Sequence, residues 1–193
     1  ARSLFLLPML TAPVLAGFNW RWIFNDRFGL MNQLLLSAGL PAQGWLVDPT
    51  FARISIVIAS VWPGIPFVML LLLARLQSLP QGPFEAAVVD GASAWQRFIH
   101  ITFPLLRPVI VVATALRVID LFRVFDVIYI MTFGGPGQAT ELLGFYIYRT
   151  AFSASRMGYA SAVSWTTLLI TVLFLIPLFL NEKSGAENER IQA

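Results

Sequence analysis

Residues 54–74 read ISIVIASVWPGIPFVMLLLLA, a run of 21 residues without a charged side chain. A helix rises about 1.5 Å per residue, so roughly 20 apolar residues are enough to cross about 30 Å of hydrocarbon. Two further uncharged runs, residues 3–20 and 157–181, contain 18 and 25 residues. Together these runs predict an all-α membrane protein, a polytopic bundle of helices that cross the bilayer several times.

The composition agrees with a membrane protein. Hydrophobic residues make up 58% of the chain and charged residues 12%, and the mean hydropathy is +0.75. Soluble domains are about a quarter charged. The net charge of +3 over 193 residues forms no basic cluster, so we expect no nucleic-acid partner. The absence of cysteine excludes disulfides, thiol catalysis and cysteine-ligated metals.

A fourth run, residues 104–132, has the length of a span but is charged. Counted along a helix from its first arginine, Arg117 and Asp120 fall near the midplane and Asp126 near the far interface. A charge at a span centre costs about 2.5–3.5 kcal/mol, so these side chains should not face lipid. Two compatible interpretations stay open: ion pairs that hold helices together, and the lining of a polar substrate path. The charged residues of this run are Arg107, Arg117, Asp120, Arg123 and Asp126.

We therefore predict one transmembrane domain over residues 1–181 and a charged cytoplasmic tail over residues 182–193. If the polar loop 75–104 is cytoplasmic, six Lys and Arg residues lie on the inside and four or five on the outside. This difference has the sign of the positive-inside rule, but it is too small to decide the orientation alone. The chain opens on Ala1 and its first run lacks a cleavage site, so we expect residues upstream rather than a signal peptide. The predicted spans are about 3–24, 54–74, 104–132 and 157–181.

Two patterns around the second span leave a choice. Residues 63–66, Pro-Gly-Ile-Pro, break the helix, and such a break at membrane depth must face protein or water. It predicts either a packing kink or part of a substrate path. Before this span, residues 30–38 predict either a short helix along the membrane surface or a packed loop.

The polar loop contains EAAVVDGA, residues 85–92, with helix signals at both ends. Pro83 suits the first helical position, and Glu85 would then meet the positive end of the helix dipole. Gly91 stands where the helix should stop, because a left-handed residue is least costly as glycine. A short exposed helix is predicted.

A second helix signal follows at once. Residues 93–96, Ser-Ala-Trp-Gln, form a capping-box pattern, and Pro104 is expected to end the helix that it starts. The prediction is two short helices hinged at Gly91. They serve either to dock a partner or as an ordinary interfacial loop.

Catalytic and metal-binding patterns are missing from the sequence. His100 is the only histidine and has no carboxylate cluster beside it, so no metal site is expected. Residues 132–137, TFGGPG, form a glycine-rich turn without the Lys-Ser/Thr ending of a phosphate-binding loop. We expect no catalytic residue on this chain.

The spacing of the polar loop resembles the EAA loop of importer-type ABC permeases. Its residues here are Glu85-Ala86-Ala87, Gly91 and Ile101-x-x-Pro104, with Phe103 in place of the usual leucine. Two further stretches, residues 123–136 and 139–152, are similar to the maltose- and trehalose-type sugar importers, and the Gly-Gly-Pro stretch is similar to the first, MalF-like, subunit type.

The resemblance implies a complex in a bacterial or archaeal inner membrane. Such a subunit pairs with a second permease, two cytoplasmic ATPases that bind ATP and Mg, and an extracytoplasmic solute-binding protein. The solute would be a mono-, di- or oligosaccharide, and no cofactor would bind this chain. The EAA helix would dock in a groove of the ATPase. The coupling residues implied are Glu85, Ala86, Ala87, Asp90, Gly91, Ile101 and Pro104.

The resemblance also implies positions for sugar contacts, on the spans that flank the loop. Two alternatives remain: the same machinery carrying a polyol or glycerol phosphate, with Arg117 and Arg123 as ligands of an anion, or a secondary transporter, which inverted repeats would favour. The substrate-path candidates are Ser60, Gly64, Phe67, Arg117, Asp120, Leu121 and Asp126.

Overall fold

The computed structural model describes the backbone of residues 5–191 and the side chains of residues 5–177. The start of the predicted span 3–24 and the charged side chains of the predicted tail 182–193 lie outside this description. Within the described backbone all regular structure is helical, which confirms the all-α prediction. The α-helices are α1 Leu7–Leu10, α2 Pro13–Ile23, α3 Leu30–Ser37, α4 Pro49–Val61, α5 Ile65–Gln77, α6 Gly82–Val89, α7 Ala94–Arg97, α8 Phe103–Phe122, α9 Asp126–Met131, α10 Leu143–Tyr148 and α11 Met157–Ile191.

Helix α4 begins earlier than the predicted second span. Asp48 caps it, because its Oδ1 accepts hydrogen bonds from the backbone N–H of Thr50 at 2.8 Å and of Phe51 at 3.0 Å. Proline at the first helical position follows this cap directly. Asp48-Pro49 is therefore a helix start.

The Pro-Gly-Ile-Pro break is a 3₁₀ turn, Trp62–Gly64, between α4 and α5. Gly64 is buried, and Pro66 is among the most completely buried side chains of the chain. The break therefore faces protein, which favours the packing interpretation over a path at these two positions. Residues 30–37 form α3, so the short helix, and not the loop, is present there.

Among the residues that the structure describes, two helical runs are long and apolar enough to cross a membrane by length and composition. They are Pro49–Gln77, with a mean hydropathy of 2.4, and Met157–Pro177, with 1.8. The predicted run 104–132 is not one helix: α8 ends at Phe122, and α9 begins at Asp126. The depth counted along a helix therefore applies to Arg117 and Asp120 but not to Asp126.

The chain divides into two compact units, residues 1–66 with 119–171, and residues 67–118 with 172–193. The first unit holds an aromatic and aliphatic core around α9, with Phe24, Ile128 and Phe145 fully buried. Helix α2 packs directly on α9 through Gly17, where an added Cβ would lie 3.1 Å from Ile130 Cβ. Small residues permit such close approach of membrane helices.

A buried amide organises the segment before α4. Asn32, 3% exposed, donates from Nδ2 to the carbonyls of Asp26 and Gln43, each at 2.9 Å. Its Oδ1 accepts from the backbone N–H of Gln43 at 2.9 Å and from the indole Nε1 of Trp45 at 2.8 Å. Every donor and acceptor of the amide is thus satisfied, and the loop closes over α3.

We predict that Asn32→Leu lowers the free energy of unfolding by roughly 3 kcal/mol, because it strands two buried donors and two acceptors. The midpoint of thermal unfolding in detergent should fall by about 5–10 °C. Gln33→Leu, at the exposed neighbouring position, is the matched control and should change it by less than about 2 °C. Equal melting of the two variants would contradict the role of Asn32.

Candidate coupling site

The short helix α6 carries the first half of the predicted motif. Gly82 is its first residue, Pro83 its second, and Glu85 lies in its first turn. The helix therefore begins one residue before the position predicted for proline. The placement of Glu85 beside the positive end of the helix is confirmed.

A left-handed turn at Gly91 ends α6, as predicted. Gly91 has φ of +74°. The N–H of Ala92 donates to the carbonyl of Ala87 at 2.9 Å, and the N–H of Gly91 donates to that of Val88 at 3.1 Å. These two bonds complete a Schellman motif, which satisfies carbonyls that the helix end would otherwise leave free.

The capping box at Ser93 is also confirmed. Ser93 Oγ accepts from the N–H of Gln96 at 3.3 Å, and Gln96 Oε1 accepts from the N–H of Ser93 at 2.8 Å. Asp90 is the C-cap of α6 and Ser93 is the N-cap of α7, so only two residues lie between the two caps.

The prediction of a second short helix that stops at Pro104 is wrong. The chain stays helical from Ala94 to Phe122, through a π-helical turn at Phe98–Thr102. Pro104 is the second residue of α8 and directly follows this π-helical turn, in which the N–H of Phe103 donates to the carbonyl of Phe98. The widened turn takes up the change in register. The object is one short helix joined to the start of a long helical run.

This surface is apolar and uncovered. No residue of α6 is buried. Val89 is 87% exposed and Trp95 68%, and the rings of Trp95 and Phe98 stack with centroids 5.7 Å apart. We call Val88, Val89, Trp95 and Phe98 the apolar knob.

A cavity of about 320 Å³ lies between the end of α6 and the start of the following run. Four of the seven predicted coupling residues line it, and Glu85, Ala86 and Pro104 are not among the lining residues. Gln96, Arg97 and His100 line it as well, and sequence reasoning missed them. Arg97, His100 and Ile101 follow Gln96 by one, four and five residues, a spacing that places all four on one face of a helix. This spacing could have indicated from the sequence that they belong to the same site as Ile101. The predicted residues in the lining are Ala87, Asp90, Gly91 and Ile101.

Two polar groups of the cavity have a defined state. Arg97 Nε is buried and has no hydrogen-bond partner. His100 Nδ1 lies 3.0 Å from the carbonyl oxygen of Gln96. A carbonyl only accepts, so Nδ1 carries the proton in this contact and Nε2 is the acceptor of the neutral ring.

The substrate-path candidates are divided between the two units. Ser60, Gly64, Asp120, Leu121 and Asp126 belong to the first unit, and Phe67 and Arg117 to the second. Leu121, 47% exposed, lines an apolar cavity of about 280 Å³ with other leucine and phenylalanine side chains. Asp126 is the first residue of α9. Within the described residues, no group of three or more His, Asp or Glu side chains could hold a metal ion.

The glycine-rich segment after α9 folds into a turn. Gly134 has φ of +82°, and an added Cβ there would lie 2.8 Å from Phe145 Cε1. Thr140 Oγ1 donates to the carbonyl of Gly135 at 2.8 Å. Beside it, Glu141 Oε1 lies 3.0 Å from Arg149 Nη2, and the Glu141 side chain is only 8% exposed. This ion pair, missed from the sequence, gives the two motif residues a structural role.

Comparisons with known proteins agree with these motifs. Residues 2–182 match the family described as binding-protein-dependent transport system inner membrane component. The trehalose/maltose transport system permease protein MalF of Thermococcus litoralis is 43% identical over 91% of this chain and 59% of its own length. The sulfoquinovosyl glycerol transport system permease protein SmoG of Agrobacterium fabrum is 38% identical over 82% of this chain and 52% of its own. The chain thus spans between half and two thirds of these relatives.

The fold also matches a solved transporter. A crystal structure of a bacterial ABC transporter involved in the import of the acidic polysaccharide alginate superposes with a TM-score of 0.83, covering 95% of this chain and 64% of that one. At 22% identity this likeness concerns the fold alone. The resemblance to the maltose- and trehalose-type permeases is confirmed by the sequence matches. The chain belongs to the family of binding-protein-dependent transport system inner membrane components.

Proposed function

We propose that this chain is the transmembrane permease part of an ATP-binding-cassette importer, and that it receives the work of ATP hydrolysis at the helix around Glu85–Gly91. The observation that carries the proposal is the apolar knob. It stands on a helix whose end is fixed at Gly91, and the described residues leave it uncovered. An apolar surface on a rigid helix supports a helix-in-groove contact with a partner.

The partners follow from the proposed role. The family is one of inner-membrane components. In this proposal ATP, with its Mg, binds to two cytoplasmic ATPase subunits, which carry out the hydrolysis. A second permease would complete the pathway, and an extracytoplasmic binding protein would deliver the solute. All seven residues predicted for coupling remain assigned to the ATPase contact in this proposal.

A sugar is the proposed solute. The relative with 43% identity is named for trehalose and maltose, and the second for a sulfoquinovosyl glycerol. Sugar hydroxyls donate hydrogen bonds to carboxylates, which suits Asp120 as a ligand. Ser60, Phe67, Arg117, Leu121 and Asp126 are proposed as further path residues on the resemblance, and Gly64 is left out because its burial favours packing.

The proposal is tested by reconstitution of the complete importer in proteoliposomes. Uptake of radiolabelled trehalose or maltose should require ATP, the ATPase subunits and the binding protein together. Uptake of glycerol phosphate or a polyol instead would transfer the substrate assignment to that alternative. Uptake that continues without the ATPases would establish a secondary transporter and reject the proposal.

We predict that Gly91→Val uncouples transport from hydrolysis while the complex still assembles. A β-branched residue at φ of +74° costs about 1–3 kcal/mol in backbone strain, although an added Cβ meets no atom within 4 Å. Sugar-stimulated ATPase activity should fall at least about fivefold, since roughly 1 kcal/mol is a factor of 5.

Gly82→Val is the matched control, because an added Cβ at Gly82 also meets nothing within 4 Å and its φ is not positive. Gly91→Asn should retain most of the coupling, since asparagine tolerates the left-handed conformation. Equal ATPase activity of Gly91→Val and Gly82→Val would contradict the claim that coupling depends on the left-handed turn at Gly91.

For the substrate path, we predict that Asp120→Asn lowers sugar uptake at least about tenfold, because a neutral amide is the weaker acceptor for hydroxyl groups. Co-purification with the ATPases and basal hydrolysis should stay unchanged, which separates a path defect from a coupling defect. Wild-type uptake by this variant would exclude Asp120 from the path.

A further inference from the structure

Arg97 lines the cavity beside the Gly91 turn, and among the described residues no ion pair engages it. Arg97 Nε is buried, and no hydrogen-bond partner reaches it. A guanidinium stays charged in proteins and offers five N–H donors in a fixed plane. The chain encloses Nε itself, so an acceptor from outside meets the accessible part of the Arg97 side chain, which lines the cavity.

The other polar groups of the cavity do not supply that acceptor. Gln96 Oε1 is engaged by the N–H of Ser93, which leaves the amide Nε2 of Gln96 to donate. Asp90 lines the α6 side of the cavity, yet among the described residues no ion pair joins it to Arg97. The side of the cavity built by the long helical run therefore carries the positive charge of Arg97 and no carboxylate.

Exposed apolar residues beside the lining residues indicate a protein as the source of the acceptor. Val89, 87% exposed, precedes Asp90 in sequence, and Trp95, 68% exposed, precedes Gln96. A free anion would leave these apolar side chains in water, whereas a protein surface can cover them and fill the cavity together. The volume of about 320 Å³ is ample for one side chain with its carboxyl group.

We propose that the cavity receives an Asp or Glu side chain of the ATPase partner, whose carboxylate pairs with the guanidinium of Arg97. This inference rests on the proposed function and names the chemistry of its contact. A carboxylate matches the planar fork of a guanidinium and makes stronger hydrogen bonds than a neutral acceptor.

Asp90 then fixes the register of the contact. A partner that offers its acidic side chain to Arg97 and a basic one to Asp90 is attracted at both points, and the reversed order is repelled at both. The knob supplies apolar area, and the pair Asp90 and Arg97 selects one seating of the partner on it.

Zero-length cross-linking with a carbodiimide tests this directly on the assembled permease–ATPase complex in lipid nanodiscs. The chain has a single lysine, Lys183, so Arg97→Lys introduces an amine at the cavity on an almost lysine-free background. Mass spectrometry should find this amine joined to an Asp or Glu of the ATPase. Arg107→Lys, at an exposed position of α8 outside the cavity, is the matched control and should give no such product.

Affinity gives a second measurement. Arg97→Met should weaken association of the ATPase at least about tenfold at low salt, and Arg107→Met should stay within about twofold. The salt dependence of association should be shallower in Arg97→Met, since one charge pair is lost.

The outcomes separate this inference from the proposed function. If the wild-type complex assembles and transports but position 97 cross-links only within the chain or to the second permease, the carboxylate contact is wrong and the proposed function stands. The same holds if Arg97→Met binds the ATPase as the wild type does. If the wild-type chain binds no ATPase, the proposed function itself fails. Should Arg97→Met misfold, the cross-linking result of Arg97→Lys decides alone.

Discussion

The left-handed turn at Gly91 is the constraint on which the coupling site depends. Two backbone hydrogen bonds close the end of α6 over this residue, and the Ser93 cap opens the next helix two positions later. No flexible linker separates the two helix ends, so α6 cannot tilt without moving the start of the run that follows. Glycine is the least costly residue there, because the conformation at φ of +74° strains any residue with a branched side chain.

The run that starts at Ala94 shows why proline did not end it. Proline excludes itself from a helix interior because it lacks an N–H and crowds the preceding turn. Both objections weaken where the regular i→i+4 pattern is interrupted, and Pro104, the second residue of α8, directly follows such an interruption. The π-helical turn before it, Phe98–Thr102, widens the backbone, and Thr102 Oγ1 donates to the carbonyl of Arg97 at 3.5 Å. The residue that was expected to divide the loop from the span therefore lies within one continuous helical run.

Sequence reasoning succeeded where a few neighbouring residues determine the structure and missed what distant residues determine. The Gly91 stop and the Ser93 capping box depend on atoms within five residues, so their patterns sufficed. The Asn32 amide bonds partners six to thirteen positions away, and the Glu141–Arg149 pair needs a folded turn to meet. Arg97 stood beside a recognised motif, but its buried Nε follows from the packing around it, which no spacing rule contains.

The chain exposes two apolar surfaces that differ in the surroundings that can cover them. The run Met157–Pro177 is apolar along its length with 6% of its window buried, and hydrocarbon or a neighbouring helix can cover it. The apolar knob is different, because Glu85, Asp90 and Gln96 are interleaved with its exposed Val and Trp side chains. Lipid would have to desolvate a carboxylate or an amide beside these apolar side chains, at a cost of several kcal/mol. A protein surface with matching charges covers the same residues without that cost, which supports the proposed contact with a protein.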